Sequence, residues 1–504
     1  MRPYAAEWRR TAALLDDERP ATRSQAARLL AATRPGQPAA TAALKARAAV
    51  EPAPETLALL LAAVGAQGPG ESAAAWLRPW LDDPRPRVRL AAVLALLELP
   101  GPDEDVEGLG ESAARLAELP GTWEAKPHPP AGPFGRALRD RPREAARFVT
   151  VATARQDAAV GVALEQLRLR RHPAEAHWRV LLDARRDRYE CRTVLAGSGR
   201  AAAPYADELA RLLEDGERGS WLRQGALLAL VRLGDRRALP HYRDAIDAYW
   251  MRSDALPPDW APELLPTVRP VLERAEHHRP DEVPGLDEAL RVARGWGPAA
   301  AAAVPELTAL LGAPGLTARA AAEALGEIGP QAATAARQLA RLATEHRWHG
   351  AQTAARAHWR ATGDPDLALR VVGTAARAGL GHPVHRYLAE LGPLAAEFAE
   401  PVRQLLDAPG EFSRIGAAEA WWRITGDPAP VLPVLLRQLP GPARAQDGEP
   451  ALRAVRLLGE IGTPAAPAAP PLRALLAAGL RHGATIALDE ELCAAARTSL
   501  ERIG

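Results

Sequence analysis

"LGEIGP" runs from Leu325 to Pro330, and "LGEIGT" returns from Leu458 to Thr463, 133 residues later. That separation is close to four units of about 33 residues, a length typical of helical repeats. Glycines that close a helical pattern stand at Gly199, Gly234, Gly297, Gly329, Gly363, Gly392, Gly426, Gly462 and Gly504. The intervals are 35, 63, 32, 34, 29, 34, 36 and 42 residues, and the 63 reads as two units with one degenerate copy. A glycine suits the left-handed position just past a helix end, where a Cβ would clash.

The residues before those glycines keep register. Eight positions earlier stand Cys191, Ala226, Ala289, Ala321, Ala355, Val384, Ala418, Ala454 and Ala496; four earlier stand Leu195, Leu230, Ala293, Leu325, Trp359, Leu388, Trp422, Leu458 and Leu500. Both offsets lie on one helix face. Two positions earlier, Arg232, Glu327 and Glu460 belong to the solvent side. Each glycine is followed by a second helical stretch, such as "PQAATAARQLARLA" or "TPAAPAAPPLRALLAAG", with Pro early, where its missing N–H is no loss. The unit is helix, turn, helix.

Composition agrees. A chain of 504 residues is too long for one ordinary core. It is 47% hydrophobic but only 5% aromatic, and its bias to Ala and Leu favours an all-α chain. Two cysteines, Cys191 and Cys493, cannot staple it, which points to a reducing compartment. The first twenty residues hold no apolar core followed by a cleavage site, and the longest apolar run, Leu57 to Val64, is far short of a membrane span. The expectation is a soluble cytoplasmic protein.

"LDDPRPRVRLAAVLALLEL" (Leu81 to Leu99) and "LGAPGLTARAAAEALGEIGP" (Leu311 to Pro330) resemble HEAT repeats, in the short bacterial variety grouped with phycobilin-lyase-type repeats. The resemblance implies an α-solenoid, a superhelix of stacked helix–turn–helix repeats, an architecture shared by scaffolds, transport factors and a few enzymes; no residue set carries lyase activity over. The leading expectation is a non-catalytic scaffold, with no cofactor, whose concave face binds another protein or peptide. Along the chain we expect N-terminal repeats over 1–100 and an acidic, then Pro/Gly-rich linker or loop over 101–135. Arg-rich helical repeats over 136–250, an irregular helical insertion over 251–296 and regular repeats over 297–504 come next. Three helix pairs fit Tyr4 to Leu99. The chain stops on a register glycine, so its last repeat is a candidate for self-association.

Candidate site residues fall in three groups. Residues 136–200 hold 15 Arg against 8 acids, while the whole chain carries only +1. Within that segment Arg168, Arg170, Arg171, Arg185, Arg186 and Arg188 form a candidate strip for an acidic partner or for nucleic acid. Some alkylpurine DNA glycosylases resemble this repeat plan and use a basic groove, which makes a nucleic-acid enzyme the alternative reading; their acid and Trp set has no match here. Trp359 and Trp422 fall on the core offset, so their neighbours His358 and Trp421 are the binding-face candidates. His346, His349, His382 and His385 recur 36 residues apart and are candidate metal ligands, although the His-Glu dipeptides of repeat-built di-iron hydroxylases are missing. No nucleophile elbow or phosphate loop points to an enzyme.

Overall fold

The computed structural model describes residues 4–504, apart from 33–37, 68–69, 120–131, 153–155, 184–187, 216–219, 249–250, 254–255, 346–349, 379–383 and 440–447. Among the described residues every regular element is a helix. The helices pair and the pairs stack, as the repeats predict. The chain divides into two compact units, Met1–Cys191 and Arg192–Gly504.

In the first unit, Pro20–Ala31, Pro54–Gln67 and Pro86–Glu98 are the second members of three successive pairs, and each packs on the next. Their shared core includes Leu30, Leu44, Leu60, Leu61, Leu77 and Val88, all fully buried. The turns of the first and third pairs are built alike. Asp17 accepts the N–H of Arg19 at 2.8 Å, and Asp83 accepts that of Arg85 at 2.9 Å. Arg23 then donates back to the carbonyls of Asp17 and Glu18, as Arg89 does to those of Asp83 and Pro84. Such local bonds end one helix and aim the next, and Pro20 and Pro86 occupy the first turn, where no donor is lost.

The stretch 101–135 is not a continuous loop. Leu109–Glu118 is a helix packed on Pro86–Glu98 and Pro142–Val151, with Gly110, Ala113, Ala114 and Ala117 on its buried side. The acidic composition masked that small-residue face, and the Pro/Gly-rich run begins only after Glu118.

In the second unit, the second members of the pairs are α1 (Trp221–Leu233), α2 (Leu286–Trp296), α3 (Leu316–Ile328), α4 (Ala351–Thr362), α5 (Val384–Leu391), α6 (Glu411–Thr425), α7 (Gly448–Ile461) and α8 (Ile486–Ile503). The repeated phrase closes α3 and α7 in the same way. Gly329 and Gly462 both have φ +73°, and their N–H groups bond the carbonyls of Leu325 and Leu458.

The segment after Gly199, Gly297, Gly329, Gly392 or Gly462 differs from the expected single helix, whereas Gly363 leads into the plain α-helix Asp366–Arg377. Gly329–Ala335, Gly392–Phe398 and Thr463–Ala468 are 3₁₀ segments, and short α-helices start only after them. The reason lies in a spacing of three. Gly329, Ala332 and Ala335 are buried together, as are Gly297, Ala300 and Ala303, and Gly392, Ala395 and Phe398. A three-residue turn puts all three on one face.

Between α1 and α2 the degenerate copy is held by a buried carboxylate. Glu288 accepts the Tyr242 hydroxyl at 2.8 Å and the Ser253 N–H at 3.1 Å, and also bonds the Ser253 hydroxyl and Arg291. At the other extreme, the last helix comes back onto the start of its own unit. Ala487 donates its N–H to the Gly197 carbonyl at 2.8 Å, and the Glu490 carboxylate accepts the N–H groups of Arg200 and Ala201 at 2.7 and 2.8 Å. The terminal repeat, expected as a free end for a second copy, is therefore partly covered by residues 197–201.

Candidate protein-interaction face

Small residues let successive second helices approach closely. A Cβ on Gly326 of α3 would lie 3.2 Å from the Cα of Ala357 in α4, and one on Gly459 of α7 would lie 2.9 Å from the Cα of Ser499 in α8. Close backbones leave the long polar side chains of these helices only the exposed edge, and there they pair across joints. Arg294 meets Glu323 at 2.8 Å, Arg453 meets Glu419 at 2.6 Å, Arg423 meets Glu460 at 2.7 Å and Arg456 meets Glu491 at 3.3 Å.

On α3–α5 the pairs close into a quartet. Arg356 donates to Glu327 at 3.0 Å and to Glu390 at 2.6 Å, and Arg386 reaches the same two carboxylates at 3.4 Å each. Burial is the largest single effect on Arg356 and opposes its charge, but the bond to Glu390 and the attraction of Glu390 and Glu327 together outweigh it and raise its pKa above the usual arginine value. Between α5 and α6, among the described residues, no ion pair crosses. A cavity of 720 Å³ opens along α5–α7, lined by Arg386, Arg423, Arg453 and Arg456 and by Glu390, Glu419, Glu449 and Glu460. A second cavity of 320 Å³ shares Arg456 and Glu460 with it and extends over α8 to Glu491 and Arg502. The two form one polar groove with as many lining arginines as glutamates.

One row of this face has a regularity that sequence reading missed. Arg294, Glu327, Arg360, Glu390, Arg423, Glu460 and Arg502 stand one per helix on α2 to α8, alternating in sign throughout. Neighbours share a level at four joints, where a Cβ on Gly297, Gly329, Gly392 or Gly462 would lie 3.2–3.8 Å from the carbonyl oxygens of Glu327, Arg360, Arg423 and Arg502 respectively, and the Arg423–Glu460 pair joins α6 to α7. The signal was present but split between two offsets. The glutamates stand two before the capping glycine; Arg294, Arg360 and Arg423 stand three before it.

The residues expected from sequence are distributed otherwise. Arg168 is exposed near the end of Gln156–Leu169. Arg170 is half-buried and donates to the Arg139 carbonyl at 3.0 Å, with Asp140 at 3.8 Å. Arg171 is half-buried, and Arg188 donates to the Asp157 carbonyl at 3.2 Å. Arg185 and Arg186 lie outside the described residues. Elsewhere in the basic segment, arginines meet acids from the stretch just before it. Arg136 pairs with Glu98 at 3.1 Å, Arg143 with Glu104 at 3.8 Å and Arg147 with Glu107 at 2.8 Å. Arg141 is buried against the carbonyls of Leu97, Leu99 and Gly101 and the Asp103 carboxylate. Folding thus brings much of the local positive excess against the acidic run.

Trp359, Trp421 and Trp422 all pack partly buried against the core, and Trp421 donates its indole N–H to the Asp427 carbonyl at 3.1 Å. His358 is half-buried beside them in register. His385 is buried with its ring on Gly416, where a Cβ would come within 2.3 Å, so it is a core side chain and not a surface ligand. His346, His349 and His382 lie outside the described residues. Among the described residues no three His, Cys, Asp or Glu side chains are grouped to hold a metal, and no helix is long and apolar enough to cross a membrane.

No protein-family model matches the chain, and neither does any curated protein. Among solved structures it is similar to importin beta, at 12% identity over 100% of this chain and 70% of that one, with a TM-score of 0.33. It is also similar to a karyopherin bound to a SUMO protease, at 12% identity over 99% and 49%, TM-score 0.23. A third likeness is to a structure from work on cadherin and beta-catenin, at 13% identity over 98% of each chain, TM-score 0.21.

Proposed function

We propose that this chain is a non-catalytic scaffold that binds another protein, or a peptide segment of one, on the second-helix face of residues 192–504. The observation that carries this reading is the pair of adjoining, charge-lined cavities along α5–α8, where half-exposed charges border open volume. On this reading the face is concave. The support is that the second helices pack closely at the α2–α3, α3–α4, α5–α6 and α7–α8 joints, with glycine approaching backbone at Gly326 and Gly459, and at these joints the first helices meet less, which bends the row toward the second helices there. The pairing of Arg136, Arg141, Arg143 and Arg147 with nearby acids counts against nucleic acid, whose binding needs unneutralised cations.

The test compares proteins that co-purify with three tagged forms of the chain. A groove variant carries Arg386→Glu, Arg423→Glu and Arg456→Glu; a control carries Arg337→Glu and Arg403→Glu on first helices. The groove variant is expected to lose proteins that the wild type and the control both retain, with all three equally helical by circular dichroism. Retention of every partner by the groove variant overturns the reading.

A further inference from the structure

The sign-alternating row on α2–α8 specifies what kind of segment fits the groove. We propose that the partner segment is an extended chain of polyproline II geometry with charges of alternating sign at every third residue. This inference rests on the scaffold reading and names its partner's chemistry.

A groove with equal numbers of Arg and Glu gives a ligand of one sign as much repulsion as attraction. A ligand gains only if its own charges change sign in step with the row Glu390, Arg423, Glu460, Arg502. Packed helices lie about 8–10 Å apart, and a polyproline II chain advances about 3.1 Å per residue with about three residues per turn, so every third side chain returns to the same face at about that spacing. An α-helix returns the same face about every 5.4 Å, so one turn falls short of the spacing between packed helices and two turns overshoot it. The half-exposed pair Arg423–Glu460 can exchange its partner for one on the ligand, because exposed ion pairs are worth little on their own.

Three fluorescein-labelled 18-residue peptides test the proposal by anisotropy against the full chain at low salt. The first repeats Lys-Gly-Ser-Glu-Gly-Ser; the second has the same composition with all Lys in one half and all Glu in the other; the third is Gly and Ser only. The alternating peptide is expected to bind at least about tenfold more tightly than either of the others. A double exchange, Arg423→Glu with Glu460→Arg, keeps net charge and the local ion pair but breaks the alternation, and is expected to remove that preference. Equal binding of the alternating and blocked peptides, or an unchanged preference in the double exchange, overturns the proposal. If the alternating peptide fails while the Arg386, Arg423 and Arg456 reversals still strip partners, the scaffold reading stands and this inference alone is wrong.

Discussion

Glu51 is enclosed in the first unit with no side-chain exposure, and four donors converge on it: Arg23 through two nitrogens, Arg47, and the Ala53 N–H. Burial alone pushes its carboxyl up, but the bonds from Arg23, Ala53 and Arg47 outweigh that and lower its pKa to about 2 from an ordinary 4.5. A carboxyl depressed on folding contributes its full stabilisation above pH 4.5 and loses it as pH falls toward 2. Glu51→Gln leaves Arg23 buried without its counter-charge, so it is expected to cost about 3 kcal/mol in urea unfolding at pH 7. The gap to wild type should narrow steadily between pH 4.5 and 2; a gap independent of pH contradicts this role. None of it was legible from sequence, because Arg23 and Glu51 are 28 residues apart. The same distance problem hid the partners of Arg136 and Arg147, which made the basic segment look more available than folding leaves it. Cys191 and Cys493, by contrast, are both buried and unbridged, and their offsets had placed Cys191 in the core.

At the level of elements, the second helices were readable because each announces its end: a left-handed glycine, an apolar residue four before (Leu or Trp, but Ala293 in α2) and a small or modest residue eight before. Several first helices, such as those after Gly297, Gly329, Gly392 and Gly462, were not, because they start as 3₁₀ segments whose period of three was taken for ordinary helix. Gly-x-x-Ala-x-x-Ala was there to be found at Gly329, Ala332 and Ala335. Those alanines are fully buried against the stack, whereas Ala333 between them faces solvent. Ala332→Leu is therefore expected to lower stability by about 1–3 kcal/mol through overpacking, and Ala333→Leu to change it by less than about 0.5 kcal/mol. Thermal unfolding of the two variants reads this directly, and similar losses in both contradict the 3₁₀ register. The alternating charge row was equally present in the sequence, but it shifts by one residue from repeat to repeat, so a single fixed offset passes over half of it.

For the molecule as a whole, stability is carried by contacts between neighbouring pairs, and the second unit also secures its own end. Gly199 has φ +56°, and a Cβ there would lie 2.5 Å from the Glu490 carboxylate and 2.9 Å from the Cα of Ala487. Gly199→Ala is expected to release α8, seen as faster hydrogen exchange over 486–503 than over α3–α7, and Glu490→Ala to do so more mildly by removing a cap worth about 1 kcal/mol. Exchange that rises uniformly along the unit would mean that this contact does not hold the end separately. The order of the pairs was legible from capping glycines alone. This return contact was not, since it joins residues 290 positions apart.

Docking of partners on the second-helix face of residues 192–504 is tested most directly by photo-crosslinking in native cell extract. A photoreactive amino acid is placed singly at Arg423, Arg456 or Arg502 and, for comparison, at Arg337 or Arg403 on first helices. Discrete crosslinked partners are expected from the first three positions and few from the other two. Crosslinks confined to the first-helix positions would contradict docking on this face.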